Sequence, residues 1–125
     1  MPVFLLYKIE HIYICMGKEY LGELEELVLL LIVMLKEEAY GLAIRKALKE
    51  QANRNVTIGA VHGTVNRLES KGFVESTLGG ATKERGGRRK RIFTIPAAGK
   101  KLLQNSQDVK VNIWRQIPEL SLDKQ

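Results

Sequence analysis

Six of the nine residues from Lys83 to Arg91 are lysine or arginine and one is Glu84, a local charge of +5. The rest of the chain holds fourteen basic and thirteen acidic residues, so nearly all of the net +6 sits in this one stretch. Cations gathered so densely attract polyanions, and guanidinium groups fork onto phosphate oxygens. Lys83, Arg85, Arg88, Arg89, Lys90 and Arg91 are therefore candidates for contacting a phosphate backbone. A merely solvated basic loop is the alternative. A second set combines small residues with hydrogen-bonding side chains: Thr57, Gly59, Ala60, His62, Gly63, Asn66 and Arg67. Asparagine suits the edge of adenine, arginine suits guanine or phosphate, and histidine donates to either. Gly59, Ala60 and Gly63 keep that surface low, which lets the backbone approach a groove; packing or solubility is the plainer reading of the same residues. Arg67 also has the plainer role of an ion pair along its own helix, worth only about 0.3–0.5 kcal/mol.

Other chemistries find little to work with. The single cysteine, Cys15, permits no intrachain disulfide and no thiolate metal site, and it fits a reducing cytoplasm. His11 and His62 lie far apart and have no further histidine or acidic residue at metal-ligand spacing. No phosphate-binding loop, dinucleotide fingerprint or nucleophile elbow is present, so neither an enzyme nor a resident cofactor is expected. The longest apolar run, Leu27 to Leu35, has nine residues, against the roughly twenty that a membrane span needs. Met1–Ile14 is apolar but broken by Lys8, Glu10 and His11, and it lacks the basic start and cleavage site of a signal peptide. Met16-Gly17 offers an alternative start, which would make residues 1–15 an extension of the reading frame.

The two candidate sets need elements to position them. Glu23–Lys36 is strongly helical, with Leu24, Leu27, Val28, Leu31 and Leu35 on one face and Glu23, Glu25 and Glu26 in the first turn, where the helix dipole favours them. It is apolar nearly all round, which predicts burial on most sides, in a domain centre or across a dimer contact. A second helix is expected from Tyr40 to about Ala52, with Tyr40, Ile44, Ala47 and Leu48 inward, followed by a loop at 53–55. The third begins at Thr57 as N-cap, buries Val61, Val65 and Leu68, and ends at Gly72. Phe73–Leu78 and Arg91–Ile95 read as strands of a hairpin, with the Gly- and Arg-rich stretch from Gly79 to Lys90 as its tip. A last helix runs to about Gln116 and is closed by Pro118; Leu102, Val109, Ile113 and Ile117 form a narrow stripe suited to a partner helix. Three helices and a hairpin are the order of a winged helix-turn-helix. The fold expected is mainly α with a small β-hairpin, in three parts: an N-terminal extension at 1–20, a DNA-binding domain at 21–96, and a dimerisation helix and tail at 97–125.

Four blocks resemble the PadR family of bacterial transcriptional regulators, in its short form with a single C-terminal helix, over about Leu21 to Leu103. They are Leu21–Leu30; Ala39–Ile44; Gly59–His62 with Arg67–Gly72; and Glu84–Arg91 followed by Phe93. Members usually carry tyrosine where this chain has His62, threonine where it has Pro96, and an aromatic at Ile92. The resemblance implies a homodimer paired through its C-terminal helices that represses transcription by binding double-stranded DNA. It also implies an aromatic or cationic small-molecule effector near the dimer interface, where Trp114, the only tryptophan, would line the pocket or simply pack. A winged helix whose basic wing meets an acidic protein partner is the alternative to DNA binding; a membrane-surface role is more remote.

Overall fold

The computed structural model describes residues 21–81 and 89–122. Helix α1 (Glu23–Leu35) starts where Glu25 Oε1 accepts the Gly22 backbone N–H at 2.9 Å, which satisfies a donor left over at the helix start. It ends at Lys36, whose φ of 53° breaks the helix, and a single 3-10 turn (Lys36–Glu38) follows. Helix α2 (Gly41–Ala52) ends on Asn53 in the left-handed region, a conformation asparagine adopts more readily than most residues. Helix α3 (Ile58–Ser70) is capped as its sequence suggests: Thr57 Oγ1 accepts the Ala60 N–H at 3.0 Å. At its other end Gly72 has φ +86°; its N–H bonds the Glu69 carbonyl, and the Phe73 N–H bonds the Leu68 carbonyl. These are the two paired bonds of a glycine-terminated Schellman cap.

Strands β1 (Glu75–Ala81) and β2 (Arg89–Thr94) pair antiparallel, with Ser76 opposite Phe93 and Leu78 opposite Arg91. Both strands lie further toward the tip than the sequence pattern predicts. Cross-strand bonding carries them into the glycine-rich stretch, with an irregularity between Leu78 and Ala81 that takes up one extra residue. The base of the hairpin is tied to the α1–α2 connection, where the Phe93 N–H donates to the Ala39 carbonyl at 2.8 Å and Tyr40 bridges to Ile92. Alternation then sorts the β2 side chains: Phe93 and Arg91 lie on one face, Ile92 and Lys90 on the other.

Val28, Leu29, Ile32, Ile44, Leu48, Val61, Val65, Leu68, Val74 and Phe93 fill the core between the three helices and the hairpin. Within the single chain α1 buries Val28, Leu29, Leu31 and Ile32. Leu30, Val33 and Met34 are exposed on the single chain.

Helix α4 (Ala97–Arg115) begins after Pro96, whose carbonyl accepts the Lys100 N–H. Its first turns lie so close to the domain that a Cβ on Gly99 would stand 2.3 Å from the Phe73 carbonyl oxygen and 2.6 Å from Ile95 Cγ2. Further along, Glu26 of α1 is buried and accepts hydrogen bonds from Ser106 Oγ (3.0 Å), Gln107 Nε2 (2.6 Å) and Lys110 Nζ. Burial raises the Glu26 pKa, yet the bond and charge of Lys110, with the bonds from Ser106 and Gln107, outweigh it and hold the carboxyl below its ordinary 4.5. Every residue from Asp108 to Gln116 is exposed. Pro118 does not close the helical region; it opens a further short helix, α5 (Pro118–Leu122), where a proline is tolerated because the first N–H of a helix has no partner to lose.

Candidate nucleic-acid interface

Helix α3 supplies one half of the candidate surface. Val61, Val65 and Leu68 are wholly buried, and that fixes which side faces out. Gly59, Ala60, Asn66 and Arg67 are exposed, while His62 and Gly63 are half-buried. His62 lies against the start of α2: a Cβ on Gly41 would meet its Cε1 at 2.9 Å. Glycine at 41 therefore makes room for the histidine that stands where tyrosine is usual. Thr57 is exposed beside this face, its hydroxyl engaged in the cap.

Arg67 is engaged as well. Its Nε lies 3.7 Å from Glu25 Oε2 and its Nη2 donates to Thr64 Oγ1 at 3.3 Å. The ion-pair partner is thus on α1 rather than on α3, and Lys71 Nζ shares the same carboxylate at 3.8 Å. The side chain of Arg67 stays 59% exposed, so the pair is well screened and the guanidinium keeps donors toward solvent.

The hairpin supplies the other half. Lys83, Arg85 and Arg88 fall outside the described residues, and Arg89 is placed only as the first residue of β2. Lys90 and Arg91 are placed, and each has a partner. Lys90 Nζ sits over the Tyr40 ring, 4.1 Å from its centre. Arg91 reaches toward α3: Nη2 donates to Glu69 Oε1 and, at 3.4 Å, to Asn66 Oδ1, while Nε donates to Ser76 Oγ at 3.2 Å. The Ser76 hydroxyl in turn donates to Glu69 Oε2 at 2.9 Å, and the Arg91 guanidinium lies 5.0 Å from the Phe93 ring centre. Sequence reading finds the two cationic and polar sets but not the Glu69–Ser76–Arg91 cluster that joins them. Its members are seven to twenty-two positions apart, and nothing local marks such a pairing.

The stripe expected for pairing lies on α4 and beyond. Leu102 is half-buried, Val109, Ile113 and Trp114 are exposed, and Ile117 is half-buried past the end of the helix. Ser106, the polar step in that stripe, is turned to Glu26. A groove of about 640 Å³ runs between the end of α1 and the hairpin, lined by Ile32, Val33, Ile92 and Ile95 with Lys36 and Lys90; Trp114 is not part of it. Among the described residues, no group of three or more His, Cys, Asp and Glu could hold a metal, and no helix is long and apolar enough to cross a membrane.

A capped helix with a low polar face, carried on two supporting helices and flanked by a two-stranded hairpin, defines the winged helix-turn-helix class. Residues 29–105 match the transcriptional regulator PadR-like family, and the chain belongs to it. It is a DNA-binding regulator and not an enzyme. Solved structures agree on the fold. A PadR-like transcription factor from Bacteroides fragilis is 20% identical with a TM-score of 0.61, covering 79% of this chain and 90% of its own. A PadR-like regulator from Bacillus cereus is 21% identical with a TM-score of 0.63, covering 78% of this chain and 89% of its own. The ORC1 protein of Aeropyrum pernix, solved in complex with DNA, is 25% identical with a TM-score of 0.58, covering 78% of this chain and 26% of its own. No curated protein matches the sequence.

Proposed function

We propose that this regulator is a homodimeric repressor that reads an inverted repeat, with α3 in the major groove and the basic wing on the backbone or minor groove of double-stranded DNA. The observation that carries the reading is the exposed face of α3. Gly59, Ala60, Asn66 and Arg67 stand clear of the core on a helix fixed at both ends, and Arg91 of β2 reaches the same helix at Asn66 and Glu69. In this reading residues 21–96 bind DNA and residues 97–125 pair the protomers. Val109, Ile113 and Trp114 on α4, with Leu30, Val33 and Met34 on α1, offer apolar surface to a second copy. An aromatic or cationic effector would stack on Trp114 between protomers. The likeness of the fold to part of a protein solved in complex with DNA supports DNA as the partner.

Selection of binding sites from random duplex DNA with the full chain tests this. The expected product is an inverted repeat with half-site centres about one helical turn apart, or a multiple of it. It should bind about 10³–10⁷ times more tightly than random DNA. Enrichment of no sequence, or of an asymmetric one, would overturn the reading; tight binding to an acidic protein without sequence-specific DNA binding would favour a protein-interaction module instead.

A further inference from the structure

Arg91 sits in the basic stretch, yet its half-buried guanidinium is held on three sides, by Glu69, Ser76 and the Phe93 ring. A side chain fixed in this way is poorly placed to follow a phosphate and well placed to fix a neighbour. The neighbour is Asn66, exposed on α3, whose Oδ1 accepts from Arg91 Nη2 at 3.4 Å. A guanidinium has donors only, so the side of the amide that faces it has to be the carbonyl oxygen. The amide NH₂ of Asn66 is then the group turned away from the hairpin.

That orientation bears on what Asn66 can read. The usual asparagine–adenine match needs both ends of the amide at once, the oxygen accepting from N6 and the nitrogen donating to N7. With its oxygen turned to Arg91, Asn66 leads away from the hairpin with its NH₂ donors. In the major groove the base edge offering two adjacent acceptors is guanine, through N7 and O6. We propose that Arg91 is a positioning residue for base readout: by holding the Asn66 amide as a donor, it makes the regulator select guanine over adenine at the base pair facing Asn66. This deepens the proposed function and rests on α3 entering the major groove.

The test compares site selections, followed by anisotropy titrations, for the wild type, Arg91→Met and Asn66→Ala. Methionine keeps the stem over Phe93 without donors; Asn66 is a surface residue whose truncation leaves the fold intact. Wild type is expected to prefer guanine over adenine at one symmetry-related pair of positions by about tenfold, the lower part of the range for a good two-bond base contact. Replacing that guanine by 7-deazaguanine should lose most of the preference. Arg91→Met should bring the guanine-to-adenine ratio to within about twofold at that pair while other positions keep their preferences, an effect that a general loss of wing stability would not produce. Asn66→Ala should lose discrimination at the same pair. If the wild type prefers adenine there, or if Arg91→Met or Asn66→Ala leaves the ratio unchanged, the inference fails while the proposed function stands. If the wild type enriches no sequence at all, both fall together.

Discussion

Replacing Gly99 by alanine sets helix propensity against contact geometry. Gly99 is the third residue of α4, and alanine is favoured over glycine inside a helix by up to about 1 kcal/mol. Against that gain stand the Phe73 carbonyl oxygen at 2.3 Å and Ile95 Cγ2 at 2.6 Å from the position of the new methyl group. Neither neighbour yields easily: the Phe73 N–H is held in the α3 cap, and Ile95 is buried. Overpacking of this kind costs about 1–3 kcal/mol, and a clash with backbone belongs at the top of that range. The net expectation is a loss of about 2 kcal/mol. Urea unfolding at one fixed protein concentration would read this as a midpoint lowered by about 1 M with an unchanged slope, for a slope near 2 kcal/mol/M. Gly63→Ala is the internal control. A Cβ there meets only Arg67 Nη1, at 3.8 Å, so the propensity gain should survive and the midpoint should rise by the equivalent of about 0.5–1 kcal/mol. A Gly99→Ala protein as stable as the wild type, or two variants that move in the same direction, would refute the close approach of α4 to the segment before β1.

Other consequences are open to direct measurement. Glu26 has a lowered pKa in the folded chain, so its contribution to stability is present above about 4.5 and is lost as pH falls through the lower folded value; Glu26→Gln should flatten that acid limb in pH-dependent unfolding, and an unchanged limb would remove Glu26 as its source. Ile113→Glu should leave helix content intact, because the residue is exposed on the single chain, but shift sedimentation toward monomer at micromolar concentration; an unaltered sedimentation profile would place the pairing surface elsewhere. Arg88→Ala with Arg89→Ala should weaken binding to all DNA sequences and flatten the slope of log K against log[salt] by about 0.9 for each phosphate no longer neutralised, as read by anisotropy at about 50 to 200 mM salt. Identical slopes would exclude both arginines from the backbone.

Local signals in the sequence carried the elements of this fold whose causes are themselves local. Thr57 caps α3 because a hydroxyl at that position can reach the N–H three residues on, and Gly72 ends it because a positive φ is needed there. Val61, Val65 and Leu68, and later Phe93 and Ile95, declare the inward side through periodicity alone. Distant causes left no such mark. The strands run past Leu78 because β2 supplies hydrogen-bond partners, although Gly79 and Gly80 have poor strand propensity. Pro118 reads as a stop, yet proline is equally at home at the first position of a new helix. The partner of Arg67 is on another helix, Glu25, and the role of Arg91 depends on Glu69 and Ser76, so the basic run by itself could not separate a clamp from a phosphate contact.

Glu25 and Glu26 are consecutive residues in the first turn of α1, and consecutive residues on a helix project about 100° apart. Each therefore grips a different helix: Glu25 holds Arg67 and Lys71 at the end of α3, and Glu26 holds Ser106, Gln107 and Lys110 on α4. The two carboxylates thus tie α3 and α4 to neighbouring positions of α1. If α3 reads DNA and α4 pairs the protomers, as proposed, the two functions share one anchor on α1. A double-mutant cycle between Arg67→Ala and Lys110→Ala would measure that link as a non-additive change in DNA affinity.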